Sequence, residues 1–210
     1  MTEATPLPSR RRRGRLVAAA VLAVGTLLTP LVASSSATAV ASPHADAASA
    51  WMAEQVGSDG AVTNPYGGGP SVDWTVNVAL GLTTTGNQPD ALARAMAYIE
   101  ANAESYLTDP TANTTGRYGW LMILSRALGL DPHAFGDAAI DLVDGLMAQY
   151  EQAEPGLFGP INAYGSVFNQ SLALLGLVAA GETPPAAAVA WLQDQQCDAP
   201  ASSAGGLRAD

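Results

Sequence analysis

The chain has 210 residues, of which 48% are hydrophobic and 13% are charged, and its formal net charge is −10. All nine basic residues are arginines, against 19 acidic residues. Nucleic acids and anionic membrane surfaces both need a basic footprint, so this charge argues against both as partners.

Residues 1–41 are predicted to be a secretory signal peptide. Arginines at 10–13 and 15 precede an apolar run at 16–32, and small residues at 39–41 suit a signal peptidase. A membrane anchor is the alternative, but Pro30 cuts the apolar run below the roughly 20 residues that a span needs. We therefore expect a secreted mature domain at 42–210 without a stable membrane span. It is either free or attached to the cell surface through a region beyond the last residue.

Helical periodicity predicts an all-α domain. Apolar residues recur at helical spacing in seven segments, and no alternating run is long enough for a useful strand. The predicted helices span about 44–56, 72–84, 89–105, 119–128, 132–150, 167–180 and 184–196.

A Gly-x-x-Pro signal recurs at 86–89, 129–132 and 181–184. Its glycine is suited to end one helix at positive φ, and its proline to begin the next. Helices before the signal are the more apolar and those after it are amphipathic, which predicts an inner and an outer layer. The segment Trp-Met-Ala-Glu-Gln at 51–55 also returns as Trp-Leu-Gln-Asp-Gln at 191–195, which fits three units of roughly 47 residues.

The Trp-Met/Leu-x-Glu/Asp-Gln segment, followed by the glycine-containing loop at 55–60, resembles the prenyltransferase and squalene-oxidase repeat family. The likeness covers most of 44–206 and is to secreted actinobacterial proteins that carry this repeat. It implies an α/α toroid of inner and outer helices. The chain holds about three to four helix pairs where complete toroids have five to seven, so we expect an incomplete toroid and a chain truncated at its C-terminus. The single cysteine, Cys197, is then expected to pair with a cysteine beyond residue 210.

The enzymes of that family carry motifs that this chain lacks. Its cyclases protonate an alkene with an Asp-x-Asp-Asp cluster, and its prenyltransferases hold zinc through Asp, Cys and His. Here Asp73 is a lone carboxylate, expected to cap a helix, and His44, His133 and Cys197 do not have metal-ligand spacing. We expect no catalytic residue, no metal site and no cofactor. An enzyme whose motif lies beyond residue 210 is the alternative.

The candidate ligand site is a rim of aromatic and polar residues at the starts of the inner helices, beside the long loops. The rings would stack on a sugar, a corrin or an apolar chain, and the polar side chains would bond to the ligand. The rim comprises Asp73, Trp74, Asn77, Tyr118, Trp120, Tyr164, Phe168, Asn169 and Gln170. The alternative is plain packing for the aromatic residues and inter-helix hydrogen bonds for the polar ones.

The predicted function is a secreted, non-catalytic module that binds a small ligand or a cell-surface partner in the toroid cavity. The cobalamin carriers of the resembled family supply the alternative, a corrinoid binder with cobalamin as its ligand.

Overall fold

The computed structural model describes residues 42–197 except 110, 111, 113, 151–154 and 160–165. All of them belong to the second of the two units into which the chain divides, residues 40–210. The predicted signal peptide therefore lies outside the described residues. The all-α prediction is confirmed, because the described chain is mostly helical, with 62% helix. None of its helices is both long and apolar enough to cross a membrane.

The described residues form seven helices and one short hairpin. The helices are α1 Pro43–Gln55, α2 Val72–Thr83, α3 Pro89–Leu107, α4 Thr115–Leu128, α5 Leu142–Met147, α6 Ser166–Ala180 and α7 Ala186–Asp194. The strands β1 Val62–Thr63 and β2 Pro70–Ser71 pair antiparallel, with Val62 opposite Ser71. The expectation of no strand missed this hairpin, because two residues are too few to show an alternating pattern.

Helices α2, α4 and α6 form a central row, since α4 contacts both α2 and α6. The flanking helices α1, α3, α5 and α7 each contact the row helix that precedes or follows them in the chain. The main apolar core lies between the row and these flanking helices. Its most deeply buried members include Leu82, Ile99, Leu121, Leu146 and Leu177.

One local arrangement occurs twice, 96 residues apart. Gly60 has φ +85°, and a β-carbon on it would lie 2.1 Å from the carbonyl oxygen of Arg94 in α3. Gly156 has φ +94°, and a β-carbon there would lie 2.2 Å from the carbonyl oxygen of Ala187 in α7. Isolated backbone bridges accompany both glycines, at Val56–Val62 and at Tyr150–Phe158. The chain thus repeats its contact between a loop and a flanking helix at twice the predicted unit of roughly 47 residues.

The Gly-x-x-Pro signals behave as predicted at their glycines. Gly86, Gly129 and Gly181 all have positive φ, between +65° and +89°. Pro89 begins α3, and Pro185 is the N-cap of α7.

The prediction that Pro132 opens a long outer helix was wrong. The segment 131–141 is a loop in which Phe135 and Ile140 exchange backbone hydrogen bonds of 2.9 and 3.0 Å. Phe135 is 1% exposed, so the loop inserts an aromatic anchor into the core. Helix α5 begins only at Leu142, after Asp141 caps it by accepting a 2.8 Å bond from the Asp144 amide. Burying a large ring and gaining a cap outweigh the helical preference of the alanines here.

Candidate functional site

The N-terminal turns of the row helices α2, α4 and α6 carry all the predicted rim residues that the structure describes. The ninth, Tyr164, lies outside the described residues. The N-cap of α2 is Ser71, whose hydroxyl accepts from the Trp74 amide at 3.5 Å. The prediction that Asp73 caps this helix was therefore wrong, because the N-cap lies two residues before it. Its carboxylate still lies in the first turn, where the helix dipole favours negative charge.

Asp73 joins a polar cluster that the sequence did not predict. The Tyr106 hydroxyl of α3 donates to the Asp73 carboxylate at 2.5 Å. On α4, the Arg117 guanidinium donates to the Tyr106 carbonyl at 2.7 Å and to the Asp109 carboxylate at 3.3 Å. The guanidinium carbon also lies 4.5 Å from the centre of the Tyr106 ring, a cation–π contact. The cluster links the start of α2 to the end of α3 and the start of α4.

Electrostatics fix the role of Tyr106 in this cluster. Burial raises the pKa of its phenol well above the usual value. The negative charge of Asp73 and the hydrogen bond to it raise this pKa further, whereas the positive charge of Arg117 lowers it. The phenol therefore stays protonated and acts as a hydrogen-bond donor, not as a general base. Within the described residues, no group of three or more His, Cys, Asp or Glu side chains could hold a metal ion.

Two pairs of predicted residues lie on opposite sides of their helices. Residues two positions apart project about 200° apart around a helix. Tyr118 is buried against α5, because a β-carbon placed on Gly145 of that helix would lie only 2.5 Å from the tyrosine ring. Trp120, by contrast, is only half-buried. Gln170 is fully buried, whereas Phe168 is 60% exposed. Tyr118 and Gln170 thus turn toward the flanking helices, and Trp120 and Phe168 turn away from them.

Gln170 is a structural crosslink and not a rim residue. Its side-chain nitrogen donates to the carbonyl oxygens of Gly156 and Ala188, at 2.7 and 3.1 Å. Its side-chain oxygen accepts from the Phe158 amide at 3.0 Å. These bonds tie α6 to the Gly156 loop and to α7. Thr75 occupies the corresponding place in the first repeat, where its hydroxyl accepts from the Val62 amide at 2.9 Å and ties α2 to β1.

Asparagines and an aromatic pair complete the predicted set. Asn77 is exposed and donates to the Asp73 carbonyl at 2.8 Å, within its own helix. Asn169 is half-buried, and its side-chain oxygen would lie 2.3 Å from a β-carbon on Gly116 of α4. Trp74 packs partly on the core and lies 6.0 Å, ring centre to ring centre, from Tyr66, which is 88% exposed.

Helix α6 has an exposed apolar stripe. Phe168, Leu175 and Val178 are 60%, 59% and 60% exposed, and Ser171 lies between them at helical spacing. On α4 the half-buried or exposed residues at the same spacing are Trp120, Ile123 and Ala127. On α2 they are Asn77 and Asp73, of which Asp73 also bonds to Tyr106 of α3. We call these uncovered sides of the central row the open face.

Tyr106 and Arg117 were missed by sequence reasoning. The signal available for Arg117 was its rarity, since only three arginines lie in the described chain. Tyr106 offered no signal beyond an aromatic ring near the end of an amphipathic helix. Cys197 is half-exposed and has a free thiol in the structure.

Comparison of the chain with protein-family models, curated proteins and solved structures finds no match. The resemblance to the prenyltransferase and squalene-oxidase repeat and the actinobacterial origin therefore stay predictions from the sequence.

Proposed function

We propose that the mature chain is a secreted, non-catalytic binding module that takes a small apolar or aromatic ligand, or such a group of a cell-surface partner, on the open face. The observation that carries this proposal is the stripe of Phe168, Leu175 and Val178, each about 60% exposed on a helix whose other sides are covered. Large contiguous apolar side chains on a surface mark interaction sites.

The open face also offers polar groups that would orient a ligand. Asp73 and Asn77 are exposed one turn apart on α2, and the half-buried Trp120 of α4 adds an aromatic ring. Ligand sites combine apolar and aromatic walls with a few polar groups in this way. The Tyr106 phenol stays protonated, so it can donate a hydrogen bond but cannot accept a proton, which favours binding over acid–base catalysis.

We further propose that the described helices are an arc of an α/α toroid, with the central row as its inner layer. The row contacts among α2, α4 and α6, and the repeated Gly60 and Gly156 contacts, support this arrangement. In such an arc the open face is the wall of the central cavity.

The test uses Nile red, a neutral apolar dye whose fluorescence rises on leaving water, with the mature chain from Ser42. We expect saturable 1:1 binding that Phe168→Ser weakens by about tenfold, since burying one aromatic ring supplies roughly that much affinity. Val189→Ser is the matched control, because Val189 is an exposed apolar residue of the flanking helix α7. Equal affinity in wild type and Phe168→Ser would place the dye elsewhere and reject the proposal.

Two further probes separate the ligand classes. Retention of the corrin chromophore of cyanocobalamin through gel filtration would assign the open face to a corrinoid. Co-sedimentation with insoluble peptidoglycan, reduced by Phe168→Ser and unchanged by Val189→Ser, would assign it to the cell wall.

A further inference from the structure

A cavity of about 400 Å³ lies on the side of α4 opposite to the open face. It opens between the end of α3, α4 and the loop at 131–141, and is lined by Glu104, Leu107, Thr108, Tyr118, Ala138 and Ile140. Leu107 and Tyr118 are buried and form its floor, while Glu104, Thr108 and Ala138 are exposed at its mouth. Its volume is within the range of small-molecule sites.

The hydroxyl of Tyr118 is the polar group of the floor. Tyr118 is only 9% exposed, yet its hydroxyl has no hydrogen-bond partner among the residues that the structure describes. Buried polar groups in native proteins are almost always satisfied, so an unsatisfied hydroxyl lining a cavity points to a ligand that bonds to it.

The mouth of the cavity is acidic. Glu104 has no ion pair within the described chain, where the salt bridges are Arg117–Asp109 and those of His133. Glu100 lies one turn earlier on α3, against the backbone of Gly136. Burial raises the pKa of the Glu100 carboxyl, and the negative charge of Asp137 raises it further. Glu104 is thus the one carboxylate among the lining residues, and within the described chain no cation pairs with it, so the mouth repels anions and attracts cations.

We propose that this cavity binds a small organic cation, an amine or guanidine with an apolar body. The cationic group donates to the Glu104 carboxylate and to the Tyr118 hydroxyl oxygen, and the apolar body covers Leu107 and Ile140. Such charge-assisted bonds are stronger than neutral ones, which makes the cationic group the main determinant of affinity. The site is separate from the open face, because Tyr118 and Trp120 lie on opposite sides of α4.

The experiment compares three isosteric probes by calorimetry on the mature chain. Benzylamine is the cation, benzyl alcohol the neutral analogue and benzoate the anion. We expect saturable 1:1 binding of benzylamine, with the other two weaker by about tenfold or more, the value of one charge-assisted hydrogen bond.

Two variants locate the probe. Tyr118→Phe removes only the hydroxyl and Glu104→Gln only the charge, and each should weaken benzylamine by about tenfold. The matched controls, Tyr98→Phe on α3 and Glu54→Gln on α1, should leave the affinity within about twofold, because both residues lie outside the cavity lining. The proposal is overturned if benzylamine shows no saturable binding, if benzoate binds as well, or if either cavity variant keeps the wild-type affinity. None of these results bears on Nile red binding at the open face.

Discussion

Gly119 of α4 and Gly176 of α6 meet so closely that a β-carbon on Gly176 would lie 2.6 Å from the α-carbon of Gly119. A β-carbon on Gly119 would in turn lie 2.3 Å from the carbonyl oxygen of Leu172. Only glycine allows two helix backbones to approach this far. The contact sets the spacing of α4 and α6, and hence of Trp120 and Phe168 on the open face.

Replacing either glycine should separate the two helices. We expect Gly119→Ala and Gly176→Ala each to lower the free energy of unfolding by about 2 kcal/mol or more, because backbone atoms cannot yield to an inserted methyl group as a flexible side chain can. Urea denaturation of both variants measures this. Gly81→Ala is the control, since its β-carbon would meet only the flexible end of Met52, and alanine is the better helix former. If all three variants have equal stability, the close crossing is absent.

The repeated loop contact predicts equal sensitivity at two distant glycines. Gly60→Ala and Gly156→Ala should each destabilise the fold by about 3 kcal/mol, combining positive φ with a clash against a flanking-helix carbonyl. Gly86→Ala measures the cost of positive φ alone, because Gly86 has φ +65° and open space around it. Its free energy of unfolding should therefore fall by only about 1 kcal/mol. Thermal melts compare the three. A loss at Gly60 or Gly156 no larger than at Gly86 would contradict the repeat.

Gln170 should be indispensable for packing and not for binding. Gln170→Leu leaves the Phe158 amide and the Gly156 and Ala188 carbonyls without their partner, so a loss of roughly 3 kcal/mol is expected. Gln193→Leu on the exposed side of α7 should change stability by less than about 0.5 kcal/mol. Chemical denaturation gives both values, and a Gln170→Leu protein as stable as the control would show that these bonds do not hold the loop.

His133 should make stability depend on pH. The hydrogen bond to Asp141, at 3.0 Å, is the main cause that raises the pKa of His133 above the ordinary histidine value of 6.5 in the folded state. A raised pKa contributes stability that is fully present below the unfolded value and is lost as pH rises through the folded value. The free energy of unfolding should therefore fall just above pH 6.5 in wild type.

That pH dependence should disappear in His133→Gln and persist in His44→Gln, measured by urea denaturation from pH 5 to 8. At acid pH the contribution of Asp141 to stability changes with pH in the opposite direction. The bond from the Asp144 amide is the main cause that lowers the pKa of Asp141, so its contribution to stability is lost as pH falls below the ordinary aspartate value of 3.8 toward the lower folded value. An unchanged slope in His133→Gln would mean that the imidazole does not hold its partner in solution.

The local parts of the fold were predictable from the sequence. Positive φ at Gly86, Gly129 and Gly181 and the start of α3 at Pro89 follow from short-range sterics and were found. The helix predicted from Pro132 failed because Phe135, three residues later, is buried in the core, which is a tertiary effect.

The candidate site was predictable only as a set of row-helix residues. Periodicity assigned Trp120 and Phe168 to the same helices as Tyr118 and Gln170, but not to opposite sides of them. The cluster of Asp73, Tyr106 and Arg117 depends on how three helices meet, and no spacing in the sequence encodes it.

Methyl NMR of Leu- and Val-labelled residues 42–210 during a Nile red titration shows directly whether the open face binds the ligand. We predict that the methyl resonances of Leu175 and Val178 shift together along one saturation curve, while those of Val189 on α7 stay in place. Shifts at Val189 equal to those at Leu175, or unchanged resonances of Leu175 and Val178 at saturation, would show that the ligand does not bind on the open face.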